Sequence, residues 1–340
     1  MAGNNNSVAA VLVTFNRKVL LCECLDALLA QSVAVDRIVL IDNASSDGTA
    51  DLLREKGYLE NQIIDYLRLP ANGGGAGGFH EGVKRAYDAG FTWLWLMDDD
   101  VAPMPRALEQ MLLHQDVSQC LQACKVFDDG TSENWERWAF IGRSGRREAS
   151  PEPPDRAVIT AESGCFEGML IHRNIVAKIG LPDKRFFLGA DDVAYGYMAS
   201  KHTRVVYLRE PCFLKKMNKF GKARLLERIK DRFLHRRSYR FYFLCVRNEI
   251  LLYGYTRDKV RAARFAVFVA KMLCTQSITA LIFERSLTNF TGLWKGALQG
   301  CLLLCSHDRQ FDLSSLQPAG KWWPKRQAHA AAEASIKAFG

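Results

Sequence analysis

The sequence predicts an α/β fold, a mostly parallel sheet with helices on both faces, followed by a basic, helical C-terminal region. Three observations predict it. The first hundred residues alternate apolar runs with amphipathic stretches across short connections. Right-handed crossovers close such a β-α-β-α-β-α-β series into a parallel sheet. The opening run, residues 7–14 (SVAAVLVT), is apolar almost throughout, as a strand buried on both faces is. Charge is divided along the chain. Residues 1–200 carry 19 Lys/Arg against 28 Asp/Glu, a net of −9, and residues 201–340 carry 27 against 9, a net of +18. This division predicts one domain at 1–214 and a second at 215–340, the second suited to an anionic partner.

After the first strand, residues 18–31 read as a helix with Leu20, Leu21, Cys24, Leu25, Leu28 and Leu29 inward. Residues 37–41 make the second strand. Residues 46–56 make the second helix, with Ser46 or Asp47 as N-cap and Gly57 as its stop. Residues 63–69 are the third strand, ended by Pro70; residues 78–89 are the third helix, stopped by Gly90. Residues 91–97 (FTWLWLM) are the fourth strand. Residues 128–157 are polar and broken by Gly and Pro, a long loop beside the sheet. Order returns over 157–170, then in a helix near 174–179 and again over 185–201. Residues 260–305 are helical and apolar. Within them 265–283 holds Lys271 and Gln276, and reads as a helix pair or interfacial segment rather than a transmembrane span.

The 340 residues are 48% hydrophobic and 11% aromatic, enough for one large core or a core with an appendage, and not a disordered chain. Ten Cys without CxxC spacing argue against zinc; Cys120/Cys124 and Cys301/Cys305 are i,i+4 pairs expected in helix cores. With no secretory signal at residues 1–7, reduced thiols and a cytoplasmic location are expected.

Polar motifs follow each of the four strands: Thr14-Phe15-Asn16-Arg17, Asp42-Asn43, Asn72-Gly73-Gly74-Gly75-Ala76-Gly77-Gly78-Phe79, and Asp98-Asp99-Asp100. A parallel sheet brings all four to one edge, where open α/β sheets build ligand sites. Three adjacent carboxylates need compensation, most readily from a divalent cation with oxygen ligands. Asp42 can accept hydrogen bonds from a nucleobase imide or a ribose hydroxyl. Five glycines in six positions let backbone N–H groups approach a ligand, and a following helix N-terminus favours anions. Singly, an acidic turn, a flexible glycine turn and a strand-end cap would explain them. Together they describe a nucleotide-diphosphate site with Mg²⁺ or Mn²⁺ bridging the diphosphate. The glycine run matches neither GxxxxGK[ST] nor GxGxxG.

On these residues the chain resembles the family 2 glycosyltransferases with the GT-A, Rossmann-like fold, over roughly residues 7–250. TFNR, IDNASSDGT, NGGGAGGF and MDDD match that family's order and spacing, the last being its metal-binding DXD-type motif. The glycine run and the triplet look most like galactofuranosyltransferases, with rhamnosyltransferases close behind. The resemblance implies that Thr14, Asn16, Arg17 and Asp42 hold uridine, and that Asn72, Gly73, Gly74, Gly77 and Gly78 pack against the nucleotide-sugar. It implies that Asp98 and Asp99 flank the diphosphate, and that Asp100 with Asp98 binds Mn²⁺ or Mg²⁺, Asp100 most directly. The implied activity is inverting transfer of a sugar, first of all galactofuranose from UDP-galactofuranose. The implied acceptor is a glycan or polyprenyl-diphosphate-linked glycan of bacterial cell-surface polysaccharide, such as lipopolysaccharide. Transfer of rhamnose or another hexose is the near alternative. A non-catalytic nucleotide-sugar-binding assembly protein and a nucleotidyltransferase are the rival classes. The latter expects a basic, Gly-rich loop after the first strand, which TFNR is not.

A second acidic element is Phe186-Phe187-Leu188-Gly189-Ala190-Asp191-Asp192-Val193. Apolar neighbours raise a carboxyl pKa towards general-base values. In similar enzymes an Asp here, after an FF strand, deprotonates the acceptor. Asp192 is expected in that role first and Asp191 second, with N-capping of the next helix the plainer use of either. The chain departs from the family at Ala194, where relatives often have an acid, and at Met198, where they often have Arg. After residues 205–208, where relatives often carry a metal-binding His, it has Cys212-Phe213-Leu214-Lys215-Lys216, and Lys215 is placed to contact the diphosphate. Trp135, Trp138, Phe166 and Glu167 are expected near an acceptor sugar, with core packing or a mobile loop as the plainer account. Residues 215–240 hold eleven basic and two acidic residues interleaved with apolar ones. Nucleic acid suits such a patch. A sugar-nucleotide site with a lipid-linked acceptor favours an anionic membrane surface instead, giving a peripheral location on the inner face of the cell membrane. Arg236, Arg237 and Arg240 would meet the lipid diphosphate.

Overall fold

The computed structural model describes residues 6–127, 129–131, 138–140, 147–149, 158–216 and 237–305. These fall into two units, parting after Lys216.

The first unit begins with the expected alternation: β1 (Val8–Thr14), α1 (Lys18–Leu29), β2 (Arg37–Asp42), α2 (Thr49–Glu55), β3 (Ile64–Arg68), α3 (Gly74–Asp88) and β4 (Trp93–Asp98). It continues with β5 (Val101–Pro103), α4 (Ala107–Leu112), β6 (Cys120–Val126), β7 (Trp138–Phe140), β8 (Arg147–Ala149) and β9 (Val158–Ala161). Then come β10 (Met169–His172), α5 (Arg173–Ile179), α6 (Asp191–Ser200) and β11 (Val205–Lys215). The main sheet runs β3-β2-β1-β4-β10-β6-β11-β5, with β9 also on β11. Strands β3, β2, β1 and β4 are parallel; β10 is antiparallel to both neighbours. Register pairs Thr14 with Asp42, Val13 with Asp98 and Asp42 with Arg68, so these strand ends share one edge.

Side chains of β1 alternate between two apolar layers. Val8, Ala10 and Leu12 pack with Leu21, Leu25 and Leu28 of α1, Leu53 of α2, and Leu108 and Met111 of α4. Ala9, Val11 and Val13 pack with Phe79 and Val83 of α3, Ile175 of α5 and Tyr195 of α6. Helices thus cover both faces. Each fully buried Leu, Ile or Val contributes about 1.5–3 kcal/mol.

Four elements differ from the sequence expectation. Helix α3 starts at Gly74 rather than residue 78, so the glycines are its first turns and not a flexible loop. Gly78 and Gly82 are small because the helix lies against β1: a Cβ on Gly78 would stand 2.4 Å from Val13 Cγ1, and one on Gly82 2.4 Å from Val11 Cγ1. Cys120 and Cys124 lie on strand β6, not on a helix. The long polar loop contains the antiparallel pair β7 and β8, with Trp138 opposite Ala149. Phe186 closes a 3₁₀ turn, Lys184–Phe186, and no strand precedes α6 there.

The second unit holds α7 (Tyr239–Thr256), α8 (Ala262–Ile278) with a π-helical turn Thr279–Phe283, and α9 (Leu287–Cys305). Tyr242, Val246, Ile250, Ala280, Leu293 and Ala297 form its apolar centre. Gly292, Gly296 and Gly300 set α9 directly on α7; a Cβ on Gly296 would stand 2.0 Å from Phe243 O. Cys301 and Cys305 are exposed on α9, outside the core expected for them. Of residues 215–240, only 215, 216 and 237–240 are among the described residues.

Candidate active site

The loop after β1 turns at Asn16, whose φ of 53° is left-handed. Its Oδ1 accepts from Ser46 N at 2.7 Å and its own N–H donates to Ser45 Oγ at 3.0 Å, joining this loop to the one after β2. Asp42, expected at the uridine, is turned inward and fully buried. Its oxygens accept from Ser45 N at 2.7 Å and Tyr66 Oη at 2.8 Å, with Arg68 Nε 3.7 Å away. In this geometry its carboxylate straps the turn, and the exposed group at that strand end is Arg68.

The glycine turn is fixed by two asparagines. Asn72 Oδ1 accepts from Gly74 N at 2.7 Å, and the Asn43 side chain spans Gly73 N at 3.2 Å and Gly74 O at 2.7 Å. Gly74 has φ +74°, and a Cβ there would stand 1.9 Å from Phe187 O. A Cβ on Gly77 would meet nothing within 4 Å. Gly74 and Gly78 therefore permit close packing, whereas Gly77 leaves open space in the second turn of the helix.

The triplet splits by role. Asp99 accepts from Thr14 Oγ1 at 2.7 Å and from Arg17 Nη1 at 3.0 Å, anchoring the first loop. Arg17 also lies 3.2 Å from Asp100 Oδ2. Asp98, Asp100 and Glu167 each bring a carboxylate oxygen within 4.8 Å of the others. Lys125 Nζ lies 3.2 Å from Glu167 Oε2, and Lys215 Nζ pairs with the same oxygen while standing 3.9 Å from Asp100 Oδ1. Desolvation holds the Asp98 carboxyl well above its ordinary pKa, with Glu167, Asp100 and Asp99 adding to it. Burial raises Asp99 to about 6, against the pull of Arg17. Four carboxylates thus face three cations, and hard oxygen donors in this excess fit Mg²⁺ or Mn²⁺.

The turn before α6 is left-handed at Phe187, Gly189 and Ala190. Ala76 N donates to Phe187 O at 3.1 Å, tying this turn to the glycine helix. Asp191 accepts from backbone N–H groups of its own turn, and burial, then the charge of Asp192, raises its pKa to about 8. Asp192 accepts from Val193 N at 2.7 Å and from the Cys165 side chain; burial raises its pKa, and Glu167 adds to the rise. Among described non-glycine residues, left-handed φ occurs at Asn16, Ala44, Phe187, Ala190 and Arg285, and the first four surround this edge. Such backbone costs about 1–3 kcal/mol per residue and concentrates at functional sites.

Two expected acceptor contacts change. Phe166 is core: it is 3% exposed, its ring 4.3 Å from Phe79 and 5.7 Å from Tyr195, with no free face for a sugar. Glu167 belongs with the acidic cluster. Trp135 and the side chain of Trp138 lie outside the described residues, as does Arg236. Arg237 engages Gln276 and Glu284 within the second unit. Sequence reasoning missed Lys125, Tyr66, Arg68 and Cys165. The signal for Lys125 was a single charge inside the apolar run CLQACKVF.

The sequence model of Glycosyl transferase family 2 matches residues 9–179. Galactofuranosyltransferase GlfT1 of Mycobacterium tuberculosis is 34% identical over 198 residues, covering 55% of this chain and 62% of that protein. GlfT1 of Mycolicibacterium smegmatis is 30% identical over 199 residues, covering 55% and 63%. The chain thus spans less than two thirds of the length of these curated relatives. The crystal structure of S. aureus TarS 1–349 in complex with UDP superposes with a TM-score of 0.50 at 15% identity, covering 87% of this chain and 91% of that one. The structure of GalNAc-T7 with UDP, GalNAc and Mn²⁺ gives 0.51 at 15% identity, covering 80% and 58%. At that identity the likeness is one of fold.

Proposed function

The chain belongs to glycosyl transferase family 2, with a GT-A fold, and from that membership we propose that it moves a sugar from a UDP-sugar to a hydroxyl acceptor with inversion. The observation that carries the reading is the ring of Asp98, Asp100 and Glu167 oxygens at the sheet edge, in a fold that also leaves Gly77 facing open space. Galactofuranose is the proposed sugar, supported by the GlfT1 relatives; UDP is supported by its presence in the two structural neighbours.

In this reading Asp98, Asp100 and Glu167 would hold a divalent cation, Mn²⁺ or Mg²⁺. When bound, it supplies charge neutralisation to the leaving diphosphate. Lys125 and Lys215 add fixed positive charge beside the same carboxylates. Asp99 keeps Thr14 and Arg17 in place through its hydrogen bonds. Asp192 takes the proton of the acceptor hydroxyl as that oxygen attacks the anomeric carbon; the carbon–diphosphate bond breaks and UDP leaves from the opposite face. The Val193 N–H and the Cys165 side chain orient the Asp192 carboxylate. Asp191, bonded to its own turn, positions the loop. The acceptor is a glycan or a lipid-linked glycan, and the basic stretch 215–240 supports action at the inner membrane surface.

A thermal-shift comparison of sugar nucleotides with Mn²⁺ tests the donor. UDP-galactofuranose is expected to give the largest stabilisation, since ligands that bind only the folded chain raise Tm. No shift with any UDP-sugar would sink the reading.

A further inference from the structure

The second unit holds a buried polar network beside its apolar centre and leaves large apolar groups outside. Glu284 is 3% exposed; it accepts from Arg237 N at 3.2 Å and from Asn289 Nδ2 at 2.8 Å. Asn289 also donates to Arg237 O at 2.8 Å, and Arg237 Nη1 reaches Gln276 Oε1 at 3.2 Å. Buried Arg247 reaches Gln299 at 3.4 Å. Polar groups thus bond to one another inside. Large apolar groups face out: Val267, Phe268, Ile278, Ile282 and Phe283 on α8 and its π-helical turn are exposed, Ile282 by 64%. On α9, Leu287, Trp294, Leu298 and Leu302 are all exposed, and their spacing of seven, four and four residues makes one stripe along the helix.

A water-facing helix pair turns the other way, and an apolar face this long marks a contact surface. Length and charge identify what covers it. The segment Ala262–Phe283 has 22 residues; its most apolar 18-residue window has a mean hydropathy of 1.7 and is only 6% buried. At 1.5 Å per residue that is about 33 Å, the thickness of a bilayer hydrocarbon core. Arg257, Lys259, Arg261 and Arg264 are exposed around the start of α8, beside a single acid, Asp258. Anionic headgroups complement that cluster; a second copy of the chain would set it against its own charge. Lys271, within the apolar segment, has a long stem that can carry its ammonium to the headgroups. The contacts of Gly292, Gly296 and Gly300 with α7 are the kind that pack helices where lipid removes the hydrophobic drive.

We propose that α8 and α9 insert their outward apolar faces into an anionic lipid bilayer, with the basic residues at the start of α8 among the headgroups. Insertion, not charge alone, then anchors the chain. The proposal deepens the membrane-surface reading above and rests on it. The test floats the full chain with phosphatidylcholine/phosphatidylglycerol vesicles, before and after a high-salt wash, beside the double variant Ile282→Glu/Leu298→Glu. Both positions are exposed, so circular dichroism of the variant should match wild type. Wild type should remain with the vesicles through the wash, and the variant should lose at least about tenfold of that salt-resistant fraction. Release of wild type by salt would overturn insertion while leaving surface docking intact. No flotation at low salt would overturn both. A soluble oligomer that the variant dissociates, without vesicle binding, would assign the face to a second copy and overturn the proposal.

Discussion

A single charged residue in an apolar strand is costly unless it is paired, and the cluster beside Asp98 uses several such residues. Lys125 stands in strand β6, Glu167 in the turn before β10 and Lys215 at the end of β11, and they converge on Asp98 and Asp100. The triplet itself was legible as carboxylates at the end of a buried strand. Glu167 was not, because it is 67 positions from Asp100 and only the sheet brings them together. Asp192 and Asp191 were legible as a pair, and their hydrogen bonds divide them: Asp192 reaches the Cys165 side chain, Asp191 its own backbone. Asp192→Asn is expected to lower kcat by about 10²–10⁴-fold, the usual value of a general base, while the thermal shift with donor is kept. Normal turnover would refute the assignment. For Asp191 the expectation concerns stability. Its folded pKa of about 8 is raised, so the folded chain keeps a proton that the unfolded chain releases. That stabilisation is complete below the ordinary carboxylate range and is lost as pH rises towards 8. Asp191→Asn cannot ionise, and its gain in Tm over wild type should be several degrees larger above pH 8 than near pH 5. An equal change at both pH values would contradict the burial account.

At the scale of elements, the parallel strands were legible because apolar runs bounded by Gly, Pro and Asp leave little choice of period. The start of α3 was not, since glycine is a poor helix former and at Gly74 its use is close packing on Phe187. Strand β6 was misread for a related reason: a four-residue cysteine spacing suits one face of a helix and equally one face of a strand. The glycines of α3 can be separated by experiment. Gly78→Val meets Val13, and overpacking of this kind should cost about 1–3 kcal/mol in chemical denaturation. Gly77→Ala meets nothing, and should leave stability equal or raise it by up to about 1 kcal/mol, while raising KM for the donor. An unchanged KM would show that the open space beside Gly77 is not where the donor packs.

At the scale of the molecule, the two units carry different physics. The first encloses two apolar layers around a sheet and places its left-handed non-glycine residues at one edge. The second buries a polar network and turns apolar side chains outward. The sequence is divided in charge as well, −9 over residues 1–200 against +18 over residues 201–340. Composition alone could not reveal the outward apolar faces, which depend on which helix faces meet. The central claim, sugar transfer at the edge bearing Asp98 and Asp100, is tested most directly by UDP release from UDP-galactofuranose with a glycan acceptor. Wild type should release UDP only with Mn²⁺ or Mg²⁺, stop on chelation, and lose the activity in Asp100→Ala. Undiminished release in Asp100→Ala, or after complete chelation, would contradict the account.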